Sequence, residues 1–252
     1  MTDPLAPRTR QSVAVDRRVS VYTSVCCLDD AGGDLVDVRR DAAGVMGVTL
    51  VDVTGHGRDA ASAASRVGRV LADLNEARRN RRAWLARLNH RLCEVLGDER
   101  FGATISACVR PCRGSDDVRV SIANAGSPAV LVYRAAAGTV ERLPIGNPPL
   151  GVFDDTQWLP AAISCTVRPG DVLVLMTDGV TEAKRPGLGL FGQSRVERIL
   201  ATLGRAGGRA VLAGLNRALT RYIGGAGEQD DRSIVVIEVT AAPREHRRPI
   251  AA

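Results

Sequence analysis

The chain has 252 residues, of which 45% are hydrophobic, 3% aromatic and 25% charged, with a net charge of +6. That apolar share is enough for a sizeable core and argues against gross disorder, and the length suits one large α/β or sandwich unit. No run of about 18 uncharged apolar residues occurs and the opening MTDPLAPRTRQSVAVDRR lacks an apolar signal core, so no membrane span or export is expected, and the expected location is the cytoplasm.

Residues 1–18 read as a polar leader, 19–240 as the domain and 241–252 as a disordered basic tail. The first β-like run, VSVYTSVCC from Val19, stops at the turn-rich DDAGGD. The second, VMGVTLVDV from Val45 to Val53, breaks at Thr54-Gly55-His56-Gly57. There the period changes: small and apolar residues recur at helical spacing, predicting a helix from about Arg58 to the arginine cluster. AWLARLNHRLCEVL predicts a second helix over 83–96. Strands return as ATISACV, VRVSIANA and AVLVYRA, and the loop from Pro144 to Gly151 interrupts them. AAISCTV leads through Arg168-Pro169-Gly170-Asp171 into VLVLMT. Helices are expected near Gln193 to Leu203 and Arg209 to Tyr222, before a last strand SIVVIEV. This order is not βαβ alternation; it suits helices on the outer faces of two antiparallel sheets.

The six cysteines form no CxxC pair and no zinc spacing, so they read as reduced core thiols. Nine arginines fall between Arg66 and Arg100, but neither a nucleic-acid motif nor interleaved aromatics accompany them. A solvated helix face is the reading adopted, and nucleic acid is not an expected partner.

The chemistry concentrates in carboxylates. VTLVDVTGHG ends a strand at Asp52 and VLVLMTDGVTEA ends one at Asp178, each beside glycine. A carboxylate just past a buried strand is held rigidly, and the glycine leaves room for a ligand. Gly32-Gly33-Asp34 and Asp230-Asp231 lie beside further strands. Carboxylates from several strands suit hard cations such as Mg²⁺ or Mn²⁺. A lone Asp is otherwise a turn or cap residue, the reading given to Asp29, Asp30, Asp98, Asp116, Asp154 and Asp155. His56, between two glycines after Asp52, is placed either for proton transfer or as a turn residue. Gly187-Leu-Gly189-Leu-Phe-Gly192 follows Lys-Arg-Pro and not a strand, so it reads as a loop. Neither a GxSxG nor a GxxxxGK[ST] motif is present.

The ordered set Gly32-Gly33-Asp34, Asp52-Val-Thr-Gly-His-Gly57, Phe101-Gly-Ala-Thr104, Asn124-Ala-Gly-Ser-Pro128, Pro148-Pro-Leu-Gly151, Gly170-Asp171, Thr177-Asp-Gly-Val-Thr-Glu-Ala183 and Asp230-Asp231-Arg-Ser233 resembles the SpoIIE/RsbU-type branch of the metal-dependent PPM (type 2C-like) serine/threonine phosphatases. The resemblance runs from about Val19 to Val239. It implies an α+β fold, a four-layer α/β/β/α sandwich with two central antiparallel sheets flanked by helices, and a centre of two Mn²⁺ or Mg²⁺ ions. Asp52 would be shared by both ions, with the Val53 carbonyl assisting; Asp34 would hold one ion, and Asp178 with Asp230 or Asp231 the other. Asp230 is favoured within its pair because relatives often carry asparagine second. A metal-bridging hydroxide would attack phosphorus while His56 protonates the leaving oxygen. The implied substrate is a phosphorylated protein, an anti-sigma-factor antagonist. The alternative is a pseudophosphatase acting as a binding module, to which Leu35-Val36, where many relatives carry aromatics, lends some room.

Overall fold

In strand β4 (Met46–Val53) successive side chains serve two different cores. Met46, Val48 and Leu50 enter one apolar cluster, and Val51 and Val53 enter another. A strand buried on both faces must lie between layers, and the rest of the fold follows from this. The computed structural model describes residues 9–15, 18–28, 32–41, 44–55, 57–74, 80–97, 100–153, 158–224 and 230–241.

One sheet runs in the order β3 (Asp34–Arg40), β4, β5 (Gly102–Pro111), β6 (Val118–Ala125) and β9 (Ile163–Val167). The other runs β1 (Thr9–Val15), β2 (Val19–Cys26), β13 (Arg232–Val239), β10 (Val172–Met176), β7 (Leu131–Arg134) and β8 (Thr139–Arg142). Neighbouring strands in both sheets are antiparallel. Between the sheets lies a core that includes Val48, Ile105, Ile122, Leu173, Val235 and Ile237, all fully buried. Helices α1 (Gly57–Asp73) and α2 (Arg81–Leu96) pack on the outer face of the first sheet through Val67, Leu85 and Leu88. Helices α4 (Gln193–Leu203) and α5 (Gly208–Ile223) cover the second sheet through Val196, Leu200 and Leu215. The four-layer α/β/β/α sandwich with two antiparallel sheets is therefore the architecture. Each fully buried Val, Leu or Ile contributes about 1.5–3 kcal/mol, so three separate clusters of them suffice to order the layers.

The local reading needs correction in several places. Thr9–Val15, expected within a polar leader, is the edge strand paired with β2. Strand β8 was not among the expected runs, and β3 is the strand expected beside Gly32-Gly33-Asp34, without bounds at that point; both are sheet edges. An edge strand has one neighbour and one solvated side, so its apolar pattern is weak. The GLGLFG segment is not a plain loop: β11 (Lys184–Arg185) and β12 (Gly189–Leu190) form a hairpin after a short helix, α3 (Asp178–Thr181). Arg81 does not lie on a solvated face. It is 3% exposed, donates to Ser106 Oγ at 2.8 Å and lies over the Trp84 ring at 4.7 Å. Its neighbours Arg82 and Arg87 are exposed, as expected. No disulfide links cysteines among the described residues, and Cys26 and Cys108 are buried. The expected tail, apart from Ala241, falls outside the described residues.

Candidate metal centre

The inward face of β3 carries Asp34, Val36 and Val38, and that of β4 carries Val48, Leu50 and Asp52. Both strands thus extend their inward apolar row into a carboxylate at the same end. Asp34 and Asp52 are direct register partners across the β3–β4 ladder. Opposite them, β10 ends at Met176, Thr177 follows, and Asp178 begins α3. Strand β13 carries Ser233 and Val235 inward, with Asp230 and Asp231 just before it.

Thr177 joins the two sheets. Its hydroxyl donates to Asp34 Oδ2 at 3.1 Å and accepts the Ser233 N–H at 2.9 Å. Asp231 is turned toward the chain that enters β3. Its Oδ1 accepts the Leu28 N–H at 2.7 Å and its Oδ2 the Gly33 N–H at 2.6 Å. Asp230 is exposed, and its only described hydrogen bond is with the Asp231 N–H at 2.8 Å. The Val53 side chain is buried on the helix side, while a Cβ on Gly33 would stand 2.5 Å from the Val53 carbonyl oxygen. Glycine at 33 therefore lets the segment before β3 approach that carbonyl.

Burial pushes the Asp52 carboxyl up to about 9, reinforced by the charges of Asp34 and Asp178, a hydrogen bond shared with Asp178, and the charge of Asp230. Burial likewise raises Asp34 to about 7, with Asp231 and Asp230 adding to it and the Thr177 hydrogen bond opposing it. Asp230 is also raised, first by burial and then by Asp178, Asp231 and Glu182. The carboxylates of both sheets therefore converge closely enough to disfavour one another's ionisation. Among the described residues, no three Asp, Glu, His or Cys side chains already stand at chelating spacing. Asp34 Oδ1 is buried with no hydrogen-bond partner. An unpartnered buried carboxylate oxygen beside mutually repelling carboxylates fits a hard divalent cation, which would satisfy the oxygen and offset the repulsion.

This gives a pH prediction with a definite sign. Protons and Mn²⁺ compete for Asp34 and Asp52, so the apparent Mn²⁺ affinity should rise by roughly tenfold or more between pH 6 and pH 8. Isothermal titration calorimetry at the two pH values, with protons released on binding, checks it; equal affinities would reject the competition.

Other residues from the sequence motifs lie elsewhere and hold loops. Asn124 Oδ1 accepts the Ser127 N–H at 3.2 Å and its amide donates to the Pro128 carbonyl at 2.9 Å. Gly102 and Leu150 exchange backbone hydrogen bonds at 2.8 and 2.9 Å. Asp171 accepts from the Ala135 N–H at 2.9 Å and from Arg134 at 3.2 Å. His56 lies outside the described residues. Sequence reasoning missed Thr177 as the bridge between sheets and Asp231 as a loop clamp. Thr177 had a signal, since it continues the inward parity of Leu173 and Leu175; Asp231 had none, because its partners are more than 190 residues away.

The sequence model for the family described as Stage II sporulation protein E (SpoIIE) matches residues 42–240. The chain belongs to the SpoIIE family. The match begins after Asp34. Among curated proteins none matches the chain. Solved structures share the fold. The RsbU and RsbW domains of a Mycobacterium tuberculosis protein superpose with a TM-score of 0.72 at 20% identity, covering 96% of this chain and 65% of that one. The PP2C phosphatase domain of SpoIIE from Bacillus subtilis, with a fragment of its regulatory domain, gives 0.73 at 17% identity over 93% of this chain and 66% of that one. The chain thus spans just under two thirds of each. The catalytic domain of the serine/threonine phosphatase PstP, solved with two manganese ions, gives 0.56 at 15% identity over 93% and 97%. In fold this SpoIIE chain is similar to the PP2C phosphatase domains among these structures. No described helix is long and apolar enough to cross a membrane.

Proposed function

We propose that the domain hydrolyses phosphoserine or phosphothreonine on a partner protein, with two divalent cations, Mn²⁺ or Mg²⁺, held between the sheets. The observation that carries this reading is the buried, unpartnered Asp34 Oδ1 together with carboxylates that oppose one another's ionisation, Asp230 acting on Asp34, and Asp34, Asp178 and Asp230 on Asp52. Asp52, whose ionisation is opposed by the charges of Asp34, Asp178 and Asp230, would be one of the groups that hold the ions. Asp230 is a ligand in preference to Asp231, whose two oxygens already accept backbone N–H groups. The Val53 carbonyl is a further donor. When bound, the ions supply activation of water and neutralisation of charge on the phosphoryl oxygens. Thr177 orients Asp34 through its hydroxyl, and Asp231 accepts the N–H groups of Leu28 and Gly33. His56 is proposed as the acid that protonates the leaving oxygen. The proposed substrate is an anti-sigma-factor antagonist; the RsbU and RsbW domains of the mycobacterial neighbour support a setting among regulatory proteins.

Hydrolysis of p-nitrophenyl phosphate and of a phosphoserine peptide, with Mn²⁺, Mg²⁺ or EDTA, tests the reading. Phosphate release should need metal, and in Asp178→Asn it should fall by roughly 10²–10³-fold. One observation favours a second reading, a non-catalytic binding module: the described carboxylates are not yet at chelating spacing. No release with either metal would select that module.

A further inference from the structure

Immediately past α3 stands the hairpin of β11 and β12, which exposes Lys184, Arg185, Leu188 and Leu190. Leu188 is 57% exposed and Leu190 46%. Strands of two residues do not hold themselves together in water. This hairpin is fixed from outside by several independent anchors. Phe191, fully buried at its base, meets the Tyr222 ring edge-on at 5.3 Å. The Tyr222 hydroxyl lies 3.0 Å from each of the carbonyl oxygens of Leu188, Gly189 and Leu190. Arg195 stacks over Tyr222 at 4.8 Å and donates to the Leu190 carbonyl at 2.9 Å. The base is tied to α3, where the Gly192 N–H donates to the Thr181 carbonyl at 2.7 Å and the Phe191 N–H to the Ala183 carbonyl at 2.8 Å.

The molecule thus holds two leucines rigidly in water, on a projection rooted in the helix that Asp178 begins. Phe191 and Tyr222 also serve the core beneath the second sheet's helices, but the anchors bury neither leucine. They do lower the entropy lost when the hairpin meets a partner, as a preorganised contact requires. The exposed charges on the hairpin, Lys184 and Arg185, are both positive, and Glu182 is the carboxylate next to them in sequence. The hairpin starts at Lys184, directly after the short helix that Asp178 begins, so it adjoins the proposed site along the chain. We infer that the Lys184–Leu190 hairpin is the docking element for the protein substrate, and that it takes an acidic segment with an apolar side chain flanking the phosphorylated residue. The inference rests on the phosphatase reading and adds to it the recognition of a substrate class.

Phosphorylated casein, an acidic phosphoprotein, is the probe, with p-nitrophenyl phosphate as the reference that is too small to reach the hairpin. Leu188→Ser/Leu190→Ser and Lys184→Glu/Arg185→Glu, both at exposed positions, should each lower the ratio of kcat/KM on casein to that on p-nitrophenyl phosphate by about tenfold, through KM. For the charge-reversed pair the loss should shrink at high salt. Fluorescence anisotropy with labelled phosphocasein reads docking without catalysis and should show the same loss of affinity. A ratio that stays at the wild-type value, or equal binding by wild type and variants, overturns the docking element. Sedimentation that shows a wild-type dimer dissociated by Leu188→Ser/Leu190→Ser assigns the patch to a second copy and also overturns it. If the wild type hydrolyses neither substrate with Mn²⁺, the phosphatase reading fails, and the anisotropy result alone decides whether the hairpin binds acidic phosphoprotein.

Discussion

Replacing Asp52 with asparagine should abolish turnover and, at the same time, make the metal-free protein more stable. Asp52 sits at an end of the inter-sheet layer, and burial together with Asp34, Asp178 and Asp230 pushes its carboxyl up to about 9 from an ordinary value of 3.8. The sign follows from proton counting. Because the folded value is the higher one, the folded state binds more protons than the unfolded state between about pH 4 and pH 9, so this group's contribution to stability falls as pH rises through that window. Asparagine keeps the shape and removes the ionisation. In EDTA the variant should therefore melt a few degrees above wild type at pH 9, with little difference at pH 5. Mn²⁺ should raise the melting temperature of wild type and scarcely move that of the variant. Activity on a phosphoserine peptide should drop by roughly 10³-fold, since a proposed metal ligand is lost. Thermal melts at the two pH values, with and without Mn²⁺, check the pattern. A variant less stable than wild type at pH 9 in EDTA would contradict the electrostatic account of the site.

The second large effect is expected from a single methyl group. A Cβ on Gly179 would stand 2.0 Å from the backbone carbonyl oxygen of Asp231. Neither side can give way by turning a side chain, because both the added carbon and the oxygen belong to the backbone framework of α3 and of the segment entering β13. The two must separate, and they are the elements that carry Asp178 and Asp230. Gly179→Ala should cost about 3 kcal/mol, or roughly 10 °C in melting temperature for a domain of this size. The residual folded protein should also lose activity, because the distance between carboxylates of the site changes with the backbone. Gly146→Ala is the control: nothing lies within 4 Å of the added carbon, so its melting temperature should stay within a degree or two of wild type. Calorimetry of the two variants separates the close approach from a general intolerance of alanine. A Gly179→Ala protein with wild-type stability would mean that the approach between α3 and β13 is looser than the structure has it.

The sequence by itself determined those features whose signal is local. Runs such as VTLVDV, VRVSIANA and VLVLMT have the strands they predict, and GQSRVERILATL has its helix, because periodicity is written in consecutive residues. Asp52 and Asp178 were visible for the same reason, each following an apolar run and preceding glycine. The order of motifs was enough to indicate the sandwich. Tertiary structure decided what depends on pairing across the chain. Thr9–Val15 became a strand because β2 offers it an edge, and β3 because Asp34 to Arg40 fall in register with β4. Arg81 left the solvated face of its arginine run because Ser106, on a neighbouring strand, accepts its hydrogen bond. Asp230 and Asp231 are adjacent and chemically identical, yet one is left toward the other carboxylates and the other clamps Leu28 and Gly33. Alternation along β13 sends neighbouring residues to different surroundings, but what those surroundings contain is supplied by segments about two hundred residues away. A carboxylate can be found from its own neighbours in sequence; whether it holds a backbone or an ion is set by what the fold places opposite it.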